Sequence, residues 1–309
     1  MNQPLISIIT PTYNRAWMLP KCIESSLSQT YPHWEHIIVD DNSTDNTEEV
    51  IRNYMQKDNR IKYFRNPGKG APSARNFGFE NSKGEYITFL DDDNYNLPHR
   101  FDSQLKAVLK CGSNYMVSGI ETRELDSGNL IAKHVAEYKA MSSGHGQRWL
   151  LSRKIYLEAG GWDVSMPAMQ EIEFSYRLGL IETYVHHNDI VCVIYETPGS
   201  ISKTFDKAIR GKIRVLEKHE TIMPPIEAAW WYYNIALEYI AVRKIKEARF
   251  YLKKSIAFES RPSKRIVLLF LKLFMAGNKL AGWLVVKPLS VLYMLNFPEL
   301  VKHEIITGD

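Results

Sequence analysis

A chain of 309 residues, 45% of them hydrophobic, has material for one large domain, a smaller one and a sizeable core, which excludes a disordered polymer. Its formal charge of +4 is small for that length and gives no support to a protein that tracks nucleic-acid phosphates. Three scattered cysteines, Cys22, Cys111 and Cys192, lack the CxxC spacing of zinc or redox sites and point to a reducing compartment.

Met1 leads almost directly into the apolar run Leu5 to Ile9, without the charged start and cleavage site of a signal peptide, so a cytoplasmic active site is expected. Leu5–Thr10, His36–Val39, Ile61–Phe64 and Glu85–Leu90 read as strands. Helical stretches near Met18–Ser28, Asp45–Met55 and Ala71–Asn81 separate them. Asp45 and Glu48 stand in capping-box spacing at the start of the second helix. This alternation predicts a doubly wound α/β domain with its chemistry at the carboxyl ends of the strands.

The first strand runs into Thr10-Pro11-Thr12-Tyr13-Asn14-Arg15, which offers a ring to stack on a nucleobase and a cation for phosphate. The second ends in Asp40-Asp41-Asn42-Ser43-Thr44-Asp45; a carboxylate there can accept the imide proton of a uracil ring, and the same residue types suit turns and helix caps. The fourth ends in Asp91-Asp92-Asp93-Asn94. Three adjacent carboxylates repel one another unless a cation or several donors compensate, and at a strand terminus a divalent metal with oxygen ligands is the expected compensation.

Beyond Leu109 a strand is expected at Tyr115–Gly119, a Gly- and Ser-rich stretch at Ser142–Gly146, and helices near Arg153–Ala159 and Glu171–Leu180. His186 and His187 are adjacent on a strand and so point to opposite faces, a poor chelating pair. From Phe205 the text is helical, with Ile226–Arg243 and Ile245–Phe258 reading as a hairpin whose Trp231, Ala236, Tyr239 and Ala248 fall loosely at tetratricopeptide offsets. The expected division is a catalytic domain over residues 1–204 and a helical region over 205–309. Seven Lys or Arg against three acids lie from Arg261 onward, so this tail carries the net charge. Lysines interrupt Ile266–Phe297, which leaves no membrane span. A basic amphipathic helix on an anionic leaflet and a helix packed on the rest of the tail both fit.

Four segments together, Ser7 to Arg15, Ile38 to Asp45, Pro72-Ser-Ala-Arg-Asn-Phe-Gly78 and Phe89-Leu-Asp-Asp-Asp93, resemble the ordered motifs of family-2 glycosyltransferases with the GT-A fold. The resemblance covers about two-thirds of the chain. It implies a Rossmann-like nucleotide-diphospho-sugar transferase domain with a C-terminal helical extension. The implied activity is inverting transfer of a single sugar from a UDP-sugar or other nucleotide sugar to a hydroxyl acceptor such as a glycan or glycolipid, with Mn²⁺ or Mg²⁺.

By the same resemblance Pro11, Tyr13, Asp41 and Arg75 surround the nucleotide, with Asp41 on the base and Arg15 a cation for phosphate. Asp92 meets ribose or donor sugar, Asp91 stands beside it, and Asp93 holds the metal. The family places an acid shortly after a Gly-Gly-aromatic-Asp segment, here Gly160-Gly161-Trp162-Asp163, which makes Glu171 the expected general base and Glu173 its neighbour. The usual Glu-Asp pair reads Gln170-Glu171 here. Where a histidine is common, the chain has Ser200-Ile-Ser202-Lys203, weak candidates for phosphate. Gln147-Arg148-Trp149 has part of a processive-synthase motif at the wrong place, so one addition per encounter is expected. The alternative is a non-catalytic scaffold with a degenerate transferase domain.

Overall fold

The computed structural model describes residues 3–134, 146–196, 205–242 and 244–259. Within them one compact unit comprises residues 3–165 and 170–196, and a second comprises 166–169, 205–242 and 244–259.

The first unit is built on β1 (Ile6–Thr12), β2 (Trp34–Asp40), β3 (Ile61–Arg65) and β4 (Tyr86–Phe89), with α1 (Leu19–Leu27), α2 (Thr47–Met55) and α3 (Ala71–Glu80) between them. There follow β5 (Tyr95–Asn96), α4 (Arg100–Cys111), β6 (Tyr115–Glu124), β7 (Leu130–His134), a 3₁₀ turn at Gly146–Arg148, β8 (Trp149–Ser152), α5 (Arg153–Glu158), α6 (Gln170–Ile181) and β9 (Val185–Glu196). One sheet joins all these strands in the order β3-β2-β1-β4-β8-β6-β9-β5, with β7 on β6. The first four are parallel, as expected from the βαβ pattern. At β4 the sheet changes character, because β8 runs antiparallel to both β4 and β6. The sheet is therefore mixed, its parallel half the one the βαβ pattern predicts, within the expected α/β class.

Successive side chains of a strand face opposite ways, and the core splits accordingly. Ile9, Ile37, Val39, Phe89, Val117 and Leu151 pack with residues of α3, α5 and α6, among them Ala74, Tyr156 and Phe174. Their neighbours Ile8, Ile38, Met116 and Leu150 pack with Leu19 and Ile23 of α1, Ile51 of α2 and Phe101 and Val108 of α4. Covering both faces explains why β1 and β2 read as near-continuous apolar runs. Gly78 lets α3 lie close on the sheet: a Cβ there would stand 2.6 Å from Cγ2 of Ile9.

α2 starts later than its sequence signal. Asp45 accepts from the backbone N–H of Thr47 at 3.1 Å, but Glu48 bonds Arg52 at 2.8 Å and does not close a capping box. α4 escaped the sequence reading because its first residue, Arg100, is fully buried, where an apolar residue would be looked for. Its guanidinium is satisfied by Gln104 at 3.1 Å, the Trp149 carbonyl at 3.2 Å, Asn96 and Thr88. Burial without an acid partner holds its pKa down to about 10.

In the second unit α7 (Phe205–His219) precedes α8 (Pro225–Ala241) and α9 (Ile245–Phe258). Tyr233, Ala236 and Ile240 of α8 pack with Ala248 and Leu252 of α9, which is the helical hairpin read from the sequence. The short segment Met166–Met169 belongs to this unit, and Gly211 of α7 lies so close to it that a Cβ would be 2.8 Å from the Ala168 carbonyl oxygen. No helix among the described residues is long and apolar enough to cross a membrane. Residues 266–297 and the candidates Ser200, Ser202 and Lys203 lie outside the described residues.

Candidate active site

The expected residues come from the carboxyl ends of β1, β2 and β4, from α3 and from the start of α6. β1 delivers Pro11 and Thr12 at its end, and the following loop carries Tyr13 and Arg15. That loop is tied to the next by Asn14, whose Oδ1 accepts from the Thr44 N–H at 2.7 Å and whose own N–H donates to Ser43 at 2.8 Å. Asn14 adopts φ 51°, a left-handed conformation that Asn tolerates. Tyr13 is left 54% exposed, its ring open to solvent.

Asp40 and Asp41 divide their work. Asp40 is buried and braces its own loop, accepting from the Ser43 N–H at 2.9 Å and the Tyr63 hydroxyl at 3.0 Å. Asp41 accepts from Asn66 at 2.7 Å and from the Gly70 N–H at 2.8 Å, which fixes its carboxylate against the entry to α3.

Each acid of the triplet has its own partner. Asp91 is bonded by Arg75 at 2.7 Å through one oxygen and by Gln147 through the other. Asp92 accepts from the Thr12 hydroxyl at 2.8 Å. Asp93 pairs with Arg15 at 3.4 Å. Donors from distant parts of the chain therefore meet part of the repulsion for which the sequence reading expected a divalent metal. Asp92 nonetheless feels it: burial first, then the charges of Asp93 and Asp91, push its carboxyl up to about 7 against the Thr12 bond and Arg15.

Among the described residues no group of three or more His, Cys, Asp or Glu side chains converges on one cation position. The chemistry of the turn still fits a hard divalent ion. Such ions commonly use one or two carboxylates together with substrate phosphates, and Asp93 offers oxygen donors beside two further negative charges that a cation would relieve.

Arg75 is not on a helix surface. It is buried, lies with its guanidinium carbon 4.6 Å from the centre of the Trp162 ring, and reaches Glu171 at 3.9 Å as well as Asp91. Glu171 stands at the start of α6, immediately after Met169 and Gln170, with Met169 at φ 60°. Its carboxyl is raised above the ordinary range by burial and by the charge of Asp91, while Arg75 pulls it down. Glu173, by contrast, is fully buried against Arg177 at 2.7 Å and faces no cleft. Asn76, next to Arg75, clamps the Gly160-Gly161 turn: it donates to the Trp162 carbonyl at 2.8 Å and accepts from the Trp162 N–H at 2.8 Å and the Tyr156 hydroxyl at 2.7 Å.

The arrangement brings Asp91, Arg75 and Glu171 together, with Asp92, Asp93, Arg15 and Asp41 on neighbouring turns. Sequence reasoning missed Gln147 and Thr12. The only sign of Gln147 was a motif fragment in the wrong order, and Thr12 lay unremarked inside a segment quoted for its ring and cation. The histidine pair holds no such group: His187 bonds Ser103 at 2.9 Å and Ser118 at 3.1 Å, and a shift in the pairing of β6 with β9 after it lets Asp189 come within 3.4 Å.

A mixed sheet of this order, with loops after β1 and β2 and an acidic turn after β4 at the carboxyl ends of its parallel strands, has the topology of a GT-A domain. The solved mannosyltransferase PcManGT from Pyrobaculum calidifontis, in complex with GDP-Man and Mn²⁺, shares it at a TM-score of 0.58 over 92% of this chain and 84% of that one; at 18% identity the likeness speaks for the fold alone. Residues 7–158, just under half of the chain, match the profile of Glycosyl transferase family 2, the family whose ordered motifs the sequence resembles.

The UDP-Glc:alpha-D-GlcNAc-diphosphoundecaprenol beta-1,3-glucosyltransferase WfgD of Escherichia coli is 34% identical over 140 residues, 45% of this chain and 54% of the relative. The GalNAc(5)-diNAcBac-PP-undecaprenol beta-1,3-glucosyltransferase of Campylobacter jejuni is 44% identical over 92 residues, 29% of this chain and 30% of the relative. The chain spans about half or less of the length of the curated relatives it matches.

Proposed function

We propose that this protein transfers a single hexose from a nucleotide sugar, a UDP-sugar in the first place, to a hydroxyl of a lipid-linked glycan during surface polysaccharide or glycoconjugate synthesis, with inversion at the anomeric carbon. The observation that carries the reading is the meeting of Asp91, Arg75 and Glu171 at the acidic turn. The undecaprenol-linked acceptors and UDP-glucose donor named for the relatives favour this substrate class.

In this reading Tyr13 stacks on the base, Asp41 accepts its imide proton, and Pro11 shapes the wall beside them. Arg15 faces the diphosphate, and Asp92 meets ribose or sugar. Asp93 would hold Mn²⁺ or Mg²⁺, which when bound supplies neutralisation of the leaving diphosphate. Glu171 takes the proton of the acceptor hydroxyl as its oxygen bonds to the anomeric carbon; the bond from that carbon to the phosphate oxygen breaks on the opposite face, and its electron pair leaves with the diphosphate. A carboxyl raised by burial is a stronger base once ionised, and Arg75 at 3.9 Å keeps it available in the ionised form. Residues 1–204 would form the catalytic domain and 205–309 the helical region, with the protein working at the cytoplasmic face of a membrane.

The test is a panel of nucleotide sugars assayed for metal-dependent turnover, followed by Asp93→Ala and Glu171→Gln. Asp93→Ala is expected to abolish metal-dependent binding of UDP in calorimetry. Glu171→Gln is expected to keep that binding and lose transfer by about a hundredfold or more. Wild-type protein that binds no UDP with or without Mn²⁺ would favour the non-catalytic scaffold.

A further inference from the structure

Buried polar atoms without partners are rare in folded proteins, so several on one chain of contacts ask for an explanation. Beside Asp91 there are four: Oε1 of Gln147, Nε and Nη1 of Arg75, and Nε1 of Trp162. They are linked through one carboxylate and one ring. Gln147 and Arg75 hold the two oxygens of Asp91, and Arg75 lies 4.6 Å from the centre of the Trp162 ring. Gln147, Arg75 and Trp162 are each at least nine-tenths buried. The carboxylates they border, Asp91 and Glu171, are each 27% exposed at the side chain, so the group opens to solvent through these two acids.

The orientation of the Gln147 amide follows from chemistry. An ionised carboxylate only accepts, so Asp91 must receive the NH₂ side, and the carbonyl oxygen is turned the other way with no partner. One unused acceptor therefore lies near three unused donors.

We infer that Gln147, together with Arg75 and Trp162, reads a neutral substituent of the transferred sugar and makes Gln147 a specificity-determining residue. This rests on the transferase reading above. A hydroxyl or an acetamido group can donate to Oε1 of Gln147 and accept from Arg75 or Trp162. The carboxylate of a uronic acid cannot donate and would face Asp91 and Glu171. At the position that Gln147 reads, the donor thus carries a hydroxyl or an acetamido group rather than a carboxylate. Sites that hydrogen-bond a substrate group discriminate strongly against analogues lacking it, because the protein groups are then left buried and unpaired.

The experiment compares wild type with Gln147→Met, which keeps the side-chain length and removes both polar atoms, and with Gln147→Asn, which keeps the amide on a shorter arm. Two quantities are read: kcat/KM over a panel of neutral, acetamido and uronic nucleotide sugars, and the Kd of the best donor's free nucleoside diphosphate with Mn²⁺. Gln147→Met should compress the ratio between the best and second-best neutral donors by about tenfold or more and leave the diphosphate Kd within about threefold. Gln147→Asn should fall between.

An equal loss on every donor, or a diphosphate Kd that rises in step, would mean that Gln147 only braces Asp91, and would overturn the inference. So would an unchanged ranking in Gln147→Met. A wild type that neither turns over any nucleotide sugar nor binds a diphosphate refutes the transferase reading itself, and this inference with it.

Discussion

Asn76→Ala should be among the most destabilising single changes near the site. The Asn76 amide makes three hydrogen bonds of 2.8, 2.8 and 2.7 Å, and the groups it serves belong to Trp162 and Tyr156, both almost fully buried. Each bond is worth about 1 kcal/mol net, and each buried group left without a partner adds a desolvation cost, so the loss should total about 3 to 5 kcal/mol. Tyr156→Phe removes one bond and leaves the Asn76 oxygen still paired with the Trp162 N–H, which sets its cost at about 1 kcal/mol. In the Asn76→Ala background the same Tyr156→Phe change should cost almost nothing, because the partner has already gone; the coupling of about 1 kcal/mol is read from a double-mutant cycle. Urea unfolding followed by tryptophan fluorescence measures all four proteins. An Asn76→Ala cost below about 1.5 kcal/mol, or a Tyr156→Phe cost equal in both backgrounds, would refute the clamp.

A buried histidine gives a pH prediction: His36 bonds Thr10 at 2.8 Å, and burial holds its pKa down to about 3. The unfolded chain takes up a proton near pH 6.5 and the folded one does not, so stability is complete above that pH and is lost as pH falls towards 3. Between pH 6.5 and 4.5 the loss from this residue approaches about 2 kcal/mol; His36→Gln should flatten that part of the stability curve, and an unchanged slope would exclude His36 as its source. Glu173→Ala removes the fully buried partner of Arg177, which is bonded at 2.9 and 2.7 Å, and should cost about 3 to 5 kcal/mol, whereas a loss under 1 kcal/mol would show that the pair contributes little.

The parallel half of the sheet was legible because strands covered on both faces are mostly apolar, and Ile6, Ile8 and Ile9 of β1 and Ile37 to Val39 of β2 are written that way. The later half was harder. Arg100 opens α4 as a buried charge, β8 has only four residues, and β9 contains His186-His187-Asn188-Asp189, a polar stretch that local preference would place in a turn.

At the site, the place of the acidic triplet could be read from the strand it ends. The direction of each carboxylate could not, since it is set by Thr12, Arg15, Arg75 and Gln147, which lie up to 80 positions away in sequence. The same holds for Arg75, which sequence reasoning could equally have left on a helix surface. Only tertiary packing on Trp162 turns it inward.

The reversal of strand direction at β4 has a bearing on how such a protein can diversify. Asp91 is held from one flank by Arg75 on α3, beside the parallel strands, and from the other by Gln147, just ahead of antiparallel β8. Substitutions around β8 can therefore drift without disturbing the loops of β1 and β2. In the reading proposed above, such a seam would let one lineage keep its nucleotide-binding loops while its descendants exchange one carbohydrate preference for another.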